Sequence, residues 1–339
     1  METLKDLLRR LTGAEGVSGD EKEIARVVTQ ELEKYAAVRT DALGSVIGEI
    51  AGGGTHIMLD AHTDRIGFVV TAVDPSGFLR IASVGGNDER ILAAAEVTVY
   101  GKEPLYGVII STPPHLSAGE DKDAKPIDQL AIDIGLPYDD AAGLVSPGDR
   151  VIVNSRFCEL KNGRVASAAL DDRAGVAVVL RALELLHEKE HNCKITAVFS
   201  SREEVGGQGA ETAAFGAAPD KAIAVDVSFA HAPSIAEHKA SPLGGGVIIS
   251  YAPVLSFTMA DKLKAVAEKN NLPYSVEVGG RDSGSNGDSI LSSGAGVETA
   301  VLFVPQRNMH SAVEIVDLQD IETAAQLIAH YILEESGSL

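Results

Sequence analysis

Leu4, Leu7, Leu8 and Leu11 share one face of a helix, and after Gly16-Val17-Ser18-Gly19 a second amphipathic pattern runs from about Glu21 to Lys34. Ser18 stands where a cap for that second helix is expected. The apolar run His56-Ile57-Met58-Leu59 predicts a buried strand that delivers Ala61-His62-Thr63-Asp64 at its carboxyl end.

From Ile66 to about Asn154 the pattern shortens into β-rich segments: Ile66 to Val73, Phe78 to Val84, Ala95 to Tyr100, Tyr106 to Ser111 and Arg150 to Asn154. Asp74-Pro75-Ser76-Gly77 joins the first two with a turn former at every position. This stretch predicts no long helix. The charged, turn-rich segment Ala118 to Pro126 reads as an exposed loop.

Helical periodicity returns at Asp171, with Val176, Val179, Leu180, Leu183 and Leu186 on one face. Strands follow at Lys194 to Ser200, Ala222 to Val227 and Thr299 to Val304, with helices near Met259 to Asn270 and from Leu318 to Leu333. Alternating strands and helices predict an α/β domain with a largely parallel sheet flanked by helices. Its residues, 1–65 plus 166–339, enclose an inserted β-rich, barrel-like domain at 66–165.

A chain of 339 residues exceeds the usual span of one core, consistent with two domains. Its formal charge of -20 disfavours nucleic acid and anionic membrane surfaces as partners, since both would repel it. No apolar run reaches spanning length, and Met1 to Arg10 alternates charges with leucines instead of forming a leader. Cys158 and Cys193 form no Cys-x-x-Cys pair and read first as small buried apolar residues. The expected location is the cytoplasm.

Five short stretches carry candidate chemistry: His62-Thr63-Asp64, Asp171-Asp172, Glu203-Glu204, Asp226 and His310. In the first, an imidazole can bind a metal through one nitrogen while a carboxylate orients the other. A lone histidine at a strand end is more often a surface or hydrogen-bonded residue. Asp171-Asp172 opens a helix, where capping and the helix dipole explain both carboxylates without a metal. The functional alternative has Asp171 spanning two ions, supported by Asp172 or Arg173.

Glu203-Glu204 lies between an apolar strand and Gly206-Gly207, so the pair is expected in a crevice, where adjacent carboxylates need a cation or a proton. Asp226 interrupts the run Ala222-Ile223-Ala224-Val225-Asp226-Val227, where an unpartnered carboxylate is costly. Most of these residues sit at or just after predicted strand ends, where open α/β sheets bind ligands. The whole set suits a two-metal hydrolase.

With these residues the chain resembles the metallopeptidases of family 42, the tetrahedral-assembly aminopeptidases that include glutamyl and deblocking enzymes. The resemblance runs through Asp64-Arg65-Ile66-Gly67-Phe68, Val84-Gly85-Gly86, Ile132-Asp133-Ile134-Gly135, Leu170-Asp171-Asp172-Arg173, Glu203-Glu204-Val205-Gly206 and Met309-His310-Ser311. It implies that His62 and Asp226 bind one divalent ion, that Glu204 and His310 bind a second, and that Asp171 bridges them. Zinc or cobalt is the expected metal. It further implies Glu203 as general base, Asp64 as the residue that orients His62, and peptides as substrates. Self-association is implied too, commonly as a dodecamer assembled from dimers, with the β insert serving oligomerisation.

Three positions depart from the family pattern: Arg65 replaces a usual glutamate, Gly207-Gln208 replaces a Leu-Arg pair, and Arg281-Asp282-Ser283 replaces Thr-Asp-Ala. None removes an expected ligand, and the two arginines are candidates for favouring acidic substrate side chains. A dinuclear carboxypeptidase or deacylase is the nearest rival, but there a lid domain falls between the later ligands, whereas here the insert precedes Asp171. A glycoside hydrolase needs carboxylates on opposite sides of a sugar, which adjacent Glu203 and Glu204 fit poorly. A non-catalytic scaffold predicts a broken ligand set, and this set is whole.

Overall fold

A computed structural model describes residues 3–112, 124–187, 189–233 and 235–337. Of the segment expected as an exposed loop, residues 118–123 lie outside the described residues. The remainder forms a mixed α/β structure with one large sheet, one small sheet and a closed barrel.

The large sheet has eight strands in the order Ala37–Thr40, Val46–Ile50, Lys194–Ser200, His56–His62, Lys221–Phe229, Glu298–Gln306, Val247–Tyr251 and Tyr274–Val278. Its four central strands, Lys194–Ser200 through Glu298–Gln306, run parallel. Antiparallel pairing appears only toward the margins, where Ala37–Thr40 meets Val46–Ile50, Val46–Ile50 meets Lys194–Ser200 and Val247–Tyr251 meets Glu298–Gln306. Parallel strands are covered on both faces and therefore read as continuous apolar runs, which is why these four were legible in the sequence.

Strand alternation divides the core in two. Ile57, Leu59, Ala61, Ile195, Phe199, Ile223 and Leu302 face the larger layer, with Leu8 and Leu11, Ile24, Leu183, Leu263 and Ile328 from helices Leu4–Gly13, Lys22–Leu32, Leu170–His187, Phe257–Lys269 and Leu318–Glu335. Met58, Val198, Ala224, Val301 and Phe303 face the other side, against helix Gln208–Ala217 and the short helix Gly287–Ile290. Helix Gln208–Ala217 escaped the sequence reading because it packs through Ala210, Ala213 and Ala214, which give almost no periodic contrast. The strands at 37–40, 46–50, 247–251 and 274–278 escaped it as well.

Strands Gly67–Val73, Leu79–Val84, Ala131–Asp133, Pro104–Ile110, Glu96–Tyr100 and Arg150–Val153 close into the barrel, which is filled by Phe68, Val70, Leu79, Val97, Val99, Ile109, Ile132 and Val151. Five of these strands match the sequence expectation. The three-residue strand Ala131–Asp133 and helix Tyr138–Leu144 were not expected. A third, three-stranded sheet pairs Arg164–Ser167 with Cys158–Glu159 and with Glu314–Asp317, setting Ser167 opposite Glu314.

Three local expectations are corrected. Ser18 does not cap the second helix; that helix starts at Lys22 with no side-chain cap, and the Ser18 hydroxyl donates instead to Asp64 at 2.5 Å. Asp226 is not at a strand end, because its strand continues to Phe229. Cys193 is buried as expected, whereas Cys158 is exposed, and both thiols are free. Among the described residues no helix is long and apolar enough to cross a membrane.

Candidate metal centre

The parallel register carries His62 to the end of its strand beside Ser200, so the loop after Ser200 rises next to the imidazole. That loop turns sharply through Arg202 at φ 64° and Gly206 at φ 131°, and the turn holds Glu203 and Glu204 over the sheet. A left-handed φ is costly for arginine, and residues held in such conformations cluster at functional sites. His310 is also left-handed, at φ 60°.

Asp171 sits at the amino end of helix Leu170–His187, joined to Asp172 by a cis peptide bond. Arg173, fully buried, fixes this helix end: its guanidinium donates to the carbonyl of Thr63 at 2.8 Å and to those of Leu11 and Ala14. Asp172 caps locally, accepting from the Gly175 N–H at 2.9 Å. Of the pair, Asp172 is the residue that caps.

All seven residues singled out in the sequence converge. His62 Nε2 lies 3.1 Å from Asp171 Oδ1, 3.9 Å from Asp226 Oδ1 and 4.0 Å from Glu203 Oε2. His310 Nε2 lies 3.4 Å from Asp171 Oδ2 and 3.5 Å from Glu204 Oε2. Two groups result, His62-Asp171-Asp226 and Asp171-Glu204-His310, in each of which the donor atoms lie within 4.8 Å of one another. Asp171 belongs to both, one oxygen toward each imidazole.

The fully buried Asp64 carboxylate ties the cluster together. It stands 3.3 Å from His62 Nδ1, and it accepts the N–H of Glu203 at 2.9 Å and that of Glu204 at 3.2 Å. Burial pushes its pKa up, but hydrogen bonds from His62 and Ser18 outweigh that and hold it below the usual carboxylate range. Gly86, in the loop after the second barrel strand, packs on His310, where a Cβ would come within 2.9 Å of Nδ1.

The sequence reading missed Glu314. Its buried carboxylate accepts the N–H of Asp171 at 3.1 Å and of His310 at 3.0 Å, positioning both shoulders of the second group. The signal that singled out Asp226 was present here too, an acid interrupting the run Val313-Glu314-Ile315-Val316. Asp60, one residue past the apolar run His56 to Leu59, is also fully buried and accepts from Asn286 at 2.9 Å.

The donor set fits divalent cations. Burial, and then the repulsion of neighbouring carboxylates, pushes Asp226 well above its usual pKa, and burial with Asp171 nearby pushes Glu204 to about 8. Glu203 is raised by the same causes. The His62 imidazole is held well above its ordinary value by Asp171 and Asp64, despite its burial. Acids in this condition call for positive charge between them, which bound cations supply.

A sheet presenting imidazoles and carboxylates along its carboxyl side, around one shared aspartate, defines a metal-dependent hydrolase. The sequence profile of the M42 glutamyl aminopeptidase family matches residues 44–327. The lysyl aminopeptidase of Pyrococcus furiosus is 32% identical over 97% of this chain and 96% of its own. Among solved structures, an aminopeptidase from the archaeon Desulfurococcus kamchatkensis has a TM-score of 0.91 at 31% identity, covering 98% of this chain and 94% of that one. The TET1 peptidase of Pyrococcus horikoshii, which can assemble into a tetrahedron or a large octahedral shell, has a TM-score of 0.87 at 33% identity, covering 97% and 99%. The chain belongs to the M42 glutamyl aminopeptidase family and is a metal-dependent aminopeptidase, as its motifs implied.

Proposed function

We propose that the protein removes amino-terminal residues from peptides with two divalent ions, zinc or cobalt, one held by His62 and Asp226, the other by Glu204 and His310, and both by Asp171. The observation that carries this reading is the division of Asp171, whose Oδ1 faces His62 at 3.1 Å and whose Oδ2 faces His310 at 3.4 Å. Ions bound there would lower the pKa of a water and polarise the scissile carbonyl.

Glu203 acts as general base and then general acid, taking the water's proton and passing it to the leaving amine. Burial, with Asp171 and Asp64 nearby, raises its pKa above the usual carboxylate value, which favours a group that takes up a proton. Asp64 fixes the His62 ring at Nδ1 through its backbone carbonyl at 3.1 Å and its carboxylate at 3.3 Å and, by accepting both N–H groups, holds the Glu203-Glu204 turn in place.

The side chain of the first substrate residue enters a cavity of about 50 Å³ beside Asp171, Glu204 and His310, walled by Ile66, Ile91, Leu92 and Val153. Arg65 lines the same cavity, buried, its Nε without a hydrogen-bond partner among the described residues. Arg281 is exposed and faces Asp282, so of the two arginines only Arg65 is a candidate for substrate preference.

Residues 66–165 act as the inserted domain and serve self-association, by analogy with the Pyrococcus horikoshii shells. The cytoplasm is the proposed location. The test is hydrolysis of free-amine aminoacyl amides by chelated protein before and after adding zinc, cobalt or manganese, with metal counted per chain. Two ions per chain and restored turnover support the reading, and N-acylated peptides cleaved in preference would sink it.

A further inference from the structure

An open cleft of about 730 Å³ lies beyond His310, sharing Asp88, Ile91, Val153 and the His310-Ser311-Ala312 segment with the small cavity at the metal centre. Its walls come from the barrel side and from the ends of two sheet strands. Ile91, 50% exposed, Phe229, 44% exposed, and Val313, 56% exposed, all line it. Large apolar side chains left open around one concavity mark a binding surface.

A second feature points the same way. Gln306, which is 1% exposed and lines this cleft, has an Oε1 with no donor among the described residues. Its amide orientation follows from the other end, where Nε2 faces Glu314 Oε2 at 3.4 Å. A buried carbonyl oxygen without a donor is costly, and a turn of the Gln306 side chain toward the cleft would bring it to the N–H of an entering peptide.

We infer that this cleft receives the substrate chain downstream of the bond that is cut, taking an apolar side chain at the second position against Phe229 and Ile91 and a backbone N–H at Gln306. The occupant is a peptide because the cleft is continuous with the metal centre at His310 and offers an acceptor between apolar walls. The protein would thus select for the residue after the cut as well as the one before it. The inference rests on the aminopeptidase reading of the site.

The test compares an aminoacyl amide, which has no downstream residue, with tripeptides carrying Phe, Leu, Gly or Lys second, all sharing the best-cleaved first residue, on metal-loaded protein. The expected result is a kcat/KM for Phe or Leu about tenfold or more above that for Gly. Phe229→Asp should bring that ratio near one while the amide is cleaved as before, and Phe229→Leu should keep it. Turnover of amide and tripeptides without discrimination overturns the inference and leaves the aminopeptidase reading standing. Loss of all turnover in the unaltered protein overturns both. A fall in assembled mass for Phe229→Asp would mean that a second copy occupies the cleft, and would overturn it as well.

Discussion

The backbone N–H of Glu203 donates to Oδ1 of Asp64 at 2.9 Å, so the proposed base and the residue that orients His62 are one hydrogen-bonded unit. Asp64 also accepts from Ser18 and the Glu204 N–H, leaving no idle oxygen. Asp64→Asn should therefore present an NH₂ to at least one of these donors. Metal affinity should fall roughly 10- to 100-fold, as for other groups that orient a metal-binding histidine. Metal titration followed by calorimetry measures it, and unchanged affinity would remove Asp64 from this role.

Glu203→Gln keeps the size of the side chain but cannot hold a proton. Metal content should stay the same while kcat falls by about 10²- to 10⁴-fold, the usual share of a general base. Metal counting alongside steady-state rates separates the two effects, since lost metal would make Glu203 a ligand instead.

Glu314→Gln tests the residue the sequence did not announce. With one carbonyl oxygen in place of two carboxylate oxygens, it cannot accept from both Asp171 N–H and His310 N–H as Glu314 does. A buried donor left unsatisfied costs about 1–3 kcal/mol. Denaturant unfolding of metal-free protein should register that loss, and the loaded enzyme should need more metal for half-maximal activity.

Metal-free protein should lose stability as pH rises from about 4 to about 9. Glu204 and Glu314 are held near 8 and Asp60 near 7, all first by burial, so in this range the folded chain binds protons that the unfolded chain has released. His310, raised to about 9 chiefly by Asp171, adds the same sign, its contribution complete below the unfolded histidine value and lost through about 9. The lowered Asp64 and Asp171 act oppositely, but only at more acidic pH, below the ordinary carboxylate range. Melting curves of chelated protein should show a lower Tm at pH 8 than at pH 5. Added zinc should reverse that order, because metal competes with protons for the same donors.

Arg65→Met should lower kcat/KM for glutamyl amide relative to leucyl amide on the order of tenfold, the worth of one hydrogen bond to a charged group. Equal rates for the two amides in the unaltered protein would leave Arg65 a buried cation facing Glu314 and Glu204, without a part in selection.

The sequence by itself determined the four central strands and the long helices, because burial on both faces of a parallel sheet writes uninterrupted apolar runs, and a helix packed on one side writes a 3.6-residue period. It also determined the chemical kinds of donor available, since imidazole and carboxylate side chains stood next to those runs. Tertiary structure decided which of them meet. Asp171 faces His62 and His310 only because strand order brings residues 109 and 139 positions apart in sequence into one cluster. Ser18, a helix cap by local pattern, was taken by Asp64; Glu314 became the partner of two backbone N–H groups; Gln306 was left with an open acceptor. Periodicity records whether a side chain is buried, whereas a hydrogen bond or a shared ion depends on what is buried beside it, and that is set by long-range packing.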